Sequence, residues 1–99
     1  MLRLGAHESI AGGLHHALDR GRSAGCKSLQ VWTKNSRQWA APPLDDATVQ
    51  QFRDACDASD IHPIVAHAAY LINIASSDPD LHARSTRSLI VEAERCEQL

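Results

Sequence analysis

The chain reads as an α/β protein of three successive strand–helix units with parallel strands, and three observations carry this. Short apolar runs at residues 2–6, 28–32 and 64–66 alternate with longer segments of helical periodicity. Turn and cap residues fall between them: Gly12-Gly13, Gly25, Pro42-Pro43, Asp45-Asp46 and His62-Pro63. Each run also ends in a polar cluster, and the C-terminal ends of parallel strands are where such folds collect their chemistry.

Residues 2–6 form an apolar segment interrupted by Arg3, and His7-Glu8-Ser9 follow. Gly12-Gly13 permits a tight turn into a helix with Leu14, Ala17, Leu18 and Gly21 on one side, and Gly25 stops it. Ser28-Leu29-Gln30-Val31-Trp32 is the second strand. A loop over residues 33–44 leads to Asp45 or Asp46, either of which can cap a helix whose Val49, Phe52 and Cys56 share a face. Residues 64–66 are the third strand. Ser77 or Asp78 before Pro79 starts the last helix. That helix is expected to carry Leu89, Ala93 and Cys96 inward, with Glu92, Glu94, Arg95 and Glu97 mostly outward.

Successive βα units imply right-handed crossovers and a parallel sheet, which needs cover on both faces or closure into a barrel. Three strands cannot close, and a (β/α)8 barrel takes about 250 residues. The last residues, 95–99, lie in a helical pattern without a C-terminal glycine. The chain is therefore expected to be the first part of something larger.

Composition narrows the function. The 99 residues are 43% apolar but only 4% aromatic, so a core must come from Leu, Ile, Val and Ala. A net charge of −2 predicts no general attraction to nucleic acid, so any such role needs local cations or a bound metal. Cys26, Cys56 and Cys96 are odd in number with no CxxC pair, and read as reduced thiols of a cytosolic protein. No signal-peptide apolar region or bilayer-spanning stretch occurs.

The segment from Val65 to Asn73 is the most informative. His67 closes an apolar run, and an imidazole there is a ready metal ligand or acid/base. Tyr70-Leu71 adds a flat apolar wedge beside it. The loops after the second and third strands run to roughly a dozen residues each, against about 2–6 for an ordinary βα connection. Plainer readings exist for each group. His67 could be a structural donor to a backbone carbonyl, Trp32 and Trp39 could be packing, and Lys34 and Arg37 could be solvated loop charges. His15 and His16 point about 100° apart on a helix and are read as surface, with His62 and His82.

The motifs Gly5-Ala6-His7-Glu8-Ser9-Ile10-Ala11-Gly12-Gly13, Thr33-Lys34-Asn35-Ser36-Arg37-Gln38-Trp39, His67-Ala68-Ala69-Tyr70-Leu71-Ile72-Asn73-Ile74-Ala75 and Glu94-Arg95-Cys96-Glu97-Gln98-Leu99 occur together and in order. In this the chain resembles the endonuclease IV family across nearly its whole length. The resemblance implies the N-terminal three βα units of a TIM (β/α)8 barrel, with residues 1–99 as an incomplete piece of one apurinic/apyrimidinic endonuclease domain. It implies a zinc-dependent DNA repair enzyme that cleaves duplex DNA 5′ to abasic sites, leaving a 3′-hydroxyl and a 5′-deoxyribose phosphate. Residue by residue, it implies that His67 is a zinc ligand, the single ligand of a multi-zinc site on this chain. Arg37 with Gln38 resembles the DNA-intercalating loop, and Tyr70 with Leu71 the wedge. His7 and Asn35 lie near the site with no assigned role.

The implied chemistry suits the residue types. An abasic nucleotide flips out at less cost than a stacked one, inserted side chains hold the kinked duplex open, and zinc would activate the attacking water. The implied partner is abasic duplex DNA, with no membrane; the full-length protein is expected to be a cytoplasmic monomer. Glu8 departs from the family's small or apolar residue, adding negative charge, and Ala68-Ala69 replaces more polar choices. The chain alone is expected to have little or no nuclease activity. The alternatives are a sugar isomerase or epimerase of the xylose-isomerase-like barrel superfamily, and a non-catalytic truncated product.

Overall fold

The computed structural model describes residues 2–99. Its elements run β1 (Gly5–His7), α1 (His16–Ser23), β2 (Ser28–Val31), α2 (Asp46–Asp57), β3 (Ile64–Ala66) and α3 (Pro79–Gln98). The strands form one parallel sheet in the order β1-β2-β3. Ala6, Leu29 and Ile64 lie abreast on one face, and His7, Gln30 and Val65 on the other. Leu29 and Val31 pack with Leu14, Ala17, Leu18, Phe52 and Ile61 into a single core.

Local chemistry sets the helix boundaries as expected. Gly12 and Gly13 take φ of 85° and 146°, left-handed values that a side chain would strain. The Asp45 carboxylate accepts from the Thr48 N–H at 2.7 Å and caps α2; those hydrogen bonds hold its pKa below the usual value. Asp78 caps α3 through the N–H groups of Asp80 at 2.9 Å and Leu81 at 3.2 Å, with Pro79 in the first turn. At the N-terminal ends of the strands, Arg3 Nε donates to the His62 carbonyl at 2.6 Å and the Lys27 carbonyl at 3.2 Å, and its Nη2 to the Asp60 carbonyl. Lys27 Nζ pairs with Asp60 at 2.9 Å and draws that carboxyl's pKa down.

Two expectations need correction. The first strand is Gly5–His7 rather than residues 2–6, and Leu2 and Leu4 are exposed. Pairing decides this: the Leu4 carbonyl receives Lys27 N–H at 2.7 Å just ahead of the Gly5–Ser28 register, and any Cβ at Gly5 would collide with the Ser28 carbonyl. The inward face of α3 also differs from the expected one, although Glu94 and Glu97 are exposed as expected. Ser85, Glu92 and Arg95 are buried, whereas Leu89, Ile90, Val91, Ala93 and Cys96 are exposed. The reason is the surface beneath: α3 rests on polar groups of the loops after β2 and β3, where Glu92 and Arg95 meet Thr33 and Pro42 and Ser85 Oγ accepts the Asn73 N–H at 2.9 Å.

Candidate functional site

The end of each strand delivers one ring to a shared cluster. The ladder continues one step beyond β1 and β3, through Glu8 N–H to the Gln30 carbonyl at 3.0 Å and His67 N–H to the Val31 carbonyl at 2.9 Å. This puts His7 and His67 at the ends of the strands that flank β2, with both imidazoles against the Trp32 ring. The Trp32 ring lies 4.9 Å from His7, 4.3 Å from His67 and 4.9 Å from Tyr70, centroid to centroid. His7 and His67 are 6.2 Å apart, and His67 and Tyr70 6.0 Å. Trp32, read from sequence as packing, is the centre of the cluster. The signal available for it was its place as the last residue of the second apolar run, just ahead of the polar cluster.

The two imidazoles are held differently. His7 Nδ1 lies 2.9 Å from the side-chain nitrogen of Gln30. His67 Nδ1 lies 2.6 Å from the Ala68 carbonyl. A carbonyl oxygen only accepts, so Nδ1 carries the proton, and in the neutral ring Nε2 keeps a free lone pair. Metal-ligating histidines are oriented in this way. One imidazole is not a metal centre, however. A zinc site needs three or four donors, and among the described residues no three His, Cys, Asp or Glu side chains gather to hold an ion. His67 has the chemistry of one coordination position, and no further donors gather with it among the described residues.

The loop after β2 stands beside the cluster. Asn35 Oδ1 accepts the Arg37 N–H at 2.9 Å, a local turn that leaves Arg37 and Gln38 exposed. Lys34 points inward, its Nζ donating to the Asn35 carbonyl at 3.2 Å and to the Gln38 carbonyl. Burial draws the Lys34 ammonium below its ordinary pKa; Glu92 opposes this and Arg95 adds to it. The Tyr70 N–H donates to the Ser36 carbonyl at 2.9 Å, joining this loop to the one after β3. Tyr70 is 64% exposed and Leu71 37%, although both are large and apolar. The structure thus brings His7, His67 and Tyr70 together, with Asn35, Arg37, Gln38 and Leu71 on adjoining loop segments.

A clamp that sequence reasoning missed holds the loop from behind. Arg95 Nη2 donates to the Thr33 carbonyl at 2.5 Å, Nε to Thr33 Oγ1 at 3.3 Å and Nη1 to the Pro42 carbonyl at 2.6 Å. The Thr33 hydroxyl donates to Glu92 at 2.6 Å. Glu92 is 5% exposed and Arg95 7%. Burial draws the Arg95 pKa down, while Glu92 raises it. Nothing in the spacing alone marks these charges as inward; they look like any solvated helix face.

On the outer side, an apolar groove of about 510 Å³ opens among Phe52, Cys56, Ile61, Ile64, Ala66 and Leu99, away from the imidazoles. No helix among the described residues is long and apolar enough to cross a membrane.

Comparison with known proteins gives a consistent result. The sequence profile described as the xylose isomerase-like TIM barrel matches residues 18–99. A protein of Methanocorpusculum labreanum named "Probable endonuclease 4" is 42% identical over 99 residues, covering 100% of this chain and 35% of the relative. One of the same name from Chlorobium phaeovibrioides is 45% identical over 101 residues, covering 100% of this chain and 36% of the relative. The crystal structure of endonuclease IV from Thermus thermophilus superposes with a TM-score of 0.91 at 34% identity, covering 99% of this chain and 37% of that one. The chain thus spans about a third of the length of the relatives it matches.

Proposed function

Since the chain belongs to the xylose isomerase-like TIM-barrel family and carries the N-terminal part of that barrel, we propose that it forms the lesion-recognising part of a DNA repair endonuclease acting 5′ to abasic sites. The observation that carries this reading is the pairing of an oriented imidazole with an exposed wedge: His67, with Nε2 free, beside Tyr70 and Leu71. The names of the relatives, endonuclease 4 and endonuclease IV, support the same class of activity.

In this reading each group has a distinct task. Tyr70 and Leu71 enter the base stack at the lesion, where the missing base lowers the cost of unstacking. Arg37 inserts from the neighbouring loop, and Gln38 meets the backbone beside it. Asn35 holds the turn that presents Arg37. The Tyr70–Ser36 hydrogen bond makes the two loops advance together. Trp32 supports His67 and Tyr70 from below, and His7 lines the same cluster. His67 supplies one zinc ligand. A bound zinc would provide the activated water for phosphodiester hydrolysis; with one ligand in hand, no hydrolytic step is assigned to this chain's residues.

The test is binding to a duplex carrying a single abasic-site analogue, read by fluorescence anisotropy against the intact duplex. Arg37→Ala and Tyr70→Ala are each expected to abolish the preference for the lesion while leaving the helical circular dichroism unchanged. Equal binding of both duplexes by the wild-type chain would sink the reading and favour the sugar isomerase class. The same chain, supplied with zinc, is expected to show little or no incision.

A further inference from the structure

We infer that the groove between Trp39 and the first half of α3 is a phosphodiester-binding site, and that it carries the DNA backbone away from the lesion. The groove encloses about 370 Å³ and is lined by Lys34, Trp39, Arg84, Arg87 and Val91, among others. Three of those five side chains are cationic. The Arg84 guanidinium carbon stands 4.3 Å above the Trp39 ring. Stacking of this kind uses the flat face of the guanidinium and leaves its N–H rim free, the geometry that grips a phosphate in bidentate fashion.

The donors are unspent. Among the described residues, neither Arg84 nor Arg87 enters an ion pair, since the paired groups are His16 and Arg22 with Asp19 and Lys27 with Asp60. Glu92, the buried carboxylate nearest in sequence along the helix, is bonded to the Thr33 hydroxyl. Lys34 is occupied with the carbonyls of Asn35 and Gln38, so it forms the floor while the arginines supply the contacts. The groove borders the proposed interface, because Lys34 at its floor also holds the Gln38 carbonyl and Trp39 directly follows Gln38. It also answers the charge problem of a chain with net charge −2: the positive field is concentrated locally beside the loop that needs it.

This inference rests on the DNA-binding reading of the neighbouring loops, and the experiment separates the two. Affinity for abasic and intact duplexes is measured across a salt series for the wild type, Arg84→Gln/Arg87→Gln and Arg84→Lys/Arg87→Lys. The glutamine pair is expected to reduce the slope of log affinity against log salt by about 1.8, or about 0.9 per lost phosphate contact, equally for both duplexes. The preference for the abasic duplex should be untouched. The lysine pair, which keeps the charge, should retain the wild-type slope. An unchanged slope in the glutamine pair overturns the groove while leaving the wedge standing. Loss of lesion preference without a change of slope overturns it too, as does a wild-type chain without salt-dependent binding, or an acidic peptide that binds the arginines with no effect on the DNA slope. A wild type that binds both duplexes equally, with the slope still falling in the glutamine pair, sinks the wedge and leaves the groove.

Discussion

Helices α1 and α3 use opposite materials for the same task. The first buries Ala17, Leu18 and Gly21 against β2 and turns Asp19 and Arg22 outward, with Arg20 half-buried on the Ser9 and Ala11 carbonyls at its edge. The last buries Ser85, Glu92 and Arg95 and turns Leu89, Ile90 and Val91 outward. What differs is the surface each one meets. A strand offers apolar side chains and no free backbone groups, so hydrophobic burial suffices. The loop after β2 offers carbonyls and a hydroxyl, which cost free energy when buried without partners. The inner face of a helix is therefore set by its neighbour as much as by its own periodicity.

The comparison is sharpened most by removing the charge. Arg95→Met should destabilise by about 3–5 kcal/mol, because it leaves the Thr33 and Pro42 acceptors without their donor and removes the cation whose charge offsets the buried Glu92. Urea unfolding followed by circular dichroism would measure it, and a change below that of an ordinary surface substitution would break the contrast. Leu18→Ala, at a fully buried position, should cost about 2–5 kcal/mol in the same assay. Thr33→Val removes only the bridging hydroxyl and should cost about 1–3 kcal/mol. A smaller effect concerns acid. The Asp45 carboxyl has a depressed pKa in the folded chain, so its contribution is fully present above about pH 4 and is lost as the pH falls below that. Asp45→Asn should flatten the acid limb of stability and lower stability near neutrality by the contribution that the carboxylate makes there. Smallest of all, Ile90→Ser on the exposed face should shift stability within about 0.5 kcal/mol; a large loss would mean that this face is covered in solution.

The same contrast explains what was legible in the sequence. The three parallel strands, the Gly12-Gly13 turn and the caps at Asp45 and Asp78 could all be read, since each depends on local chemistry or on apolar spacing. The meeting of the strand-end clusters followed from parallel topology, and the rings of His7, His67 and Tyr70 do converge. The family resemblance also agrees with the barrel profile and with relatives bearing the endonuclease name. Trp32 was not legible as the centre of that cluster, because only the register brings both imidazoles against its ring. Glu92 and Arg95 were read as solvated, because their partners Thr33 and Pro42 lie far away in sequence. The exposed positions of Leu89, Ala93 and Cys96 escaped for the same reason: amphipathic spacing assumes an apolar neighbour.

The Arg95 contacts to Thr33 and Pro42 also bear on how the chain can vary. With both ends tied to one guanidinium, the segment between them behaves as a ring already closed, and lengthening a closed ring is cheap: each doubling of its length adds about 0.6 kcal/mol of entropy. Lys34 further pins the stretch through Gln38. Extra residues between Ala40 and Ala41 could then bulge into solvent without moving Arg37. The half of the loop that carries Arg37 and Gln38 is held to length, while the half beyond Trp39 is open to insertion, so the chain could vary there without retuning the sheet.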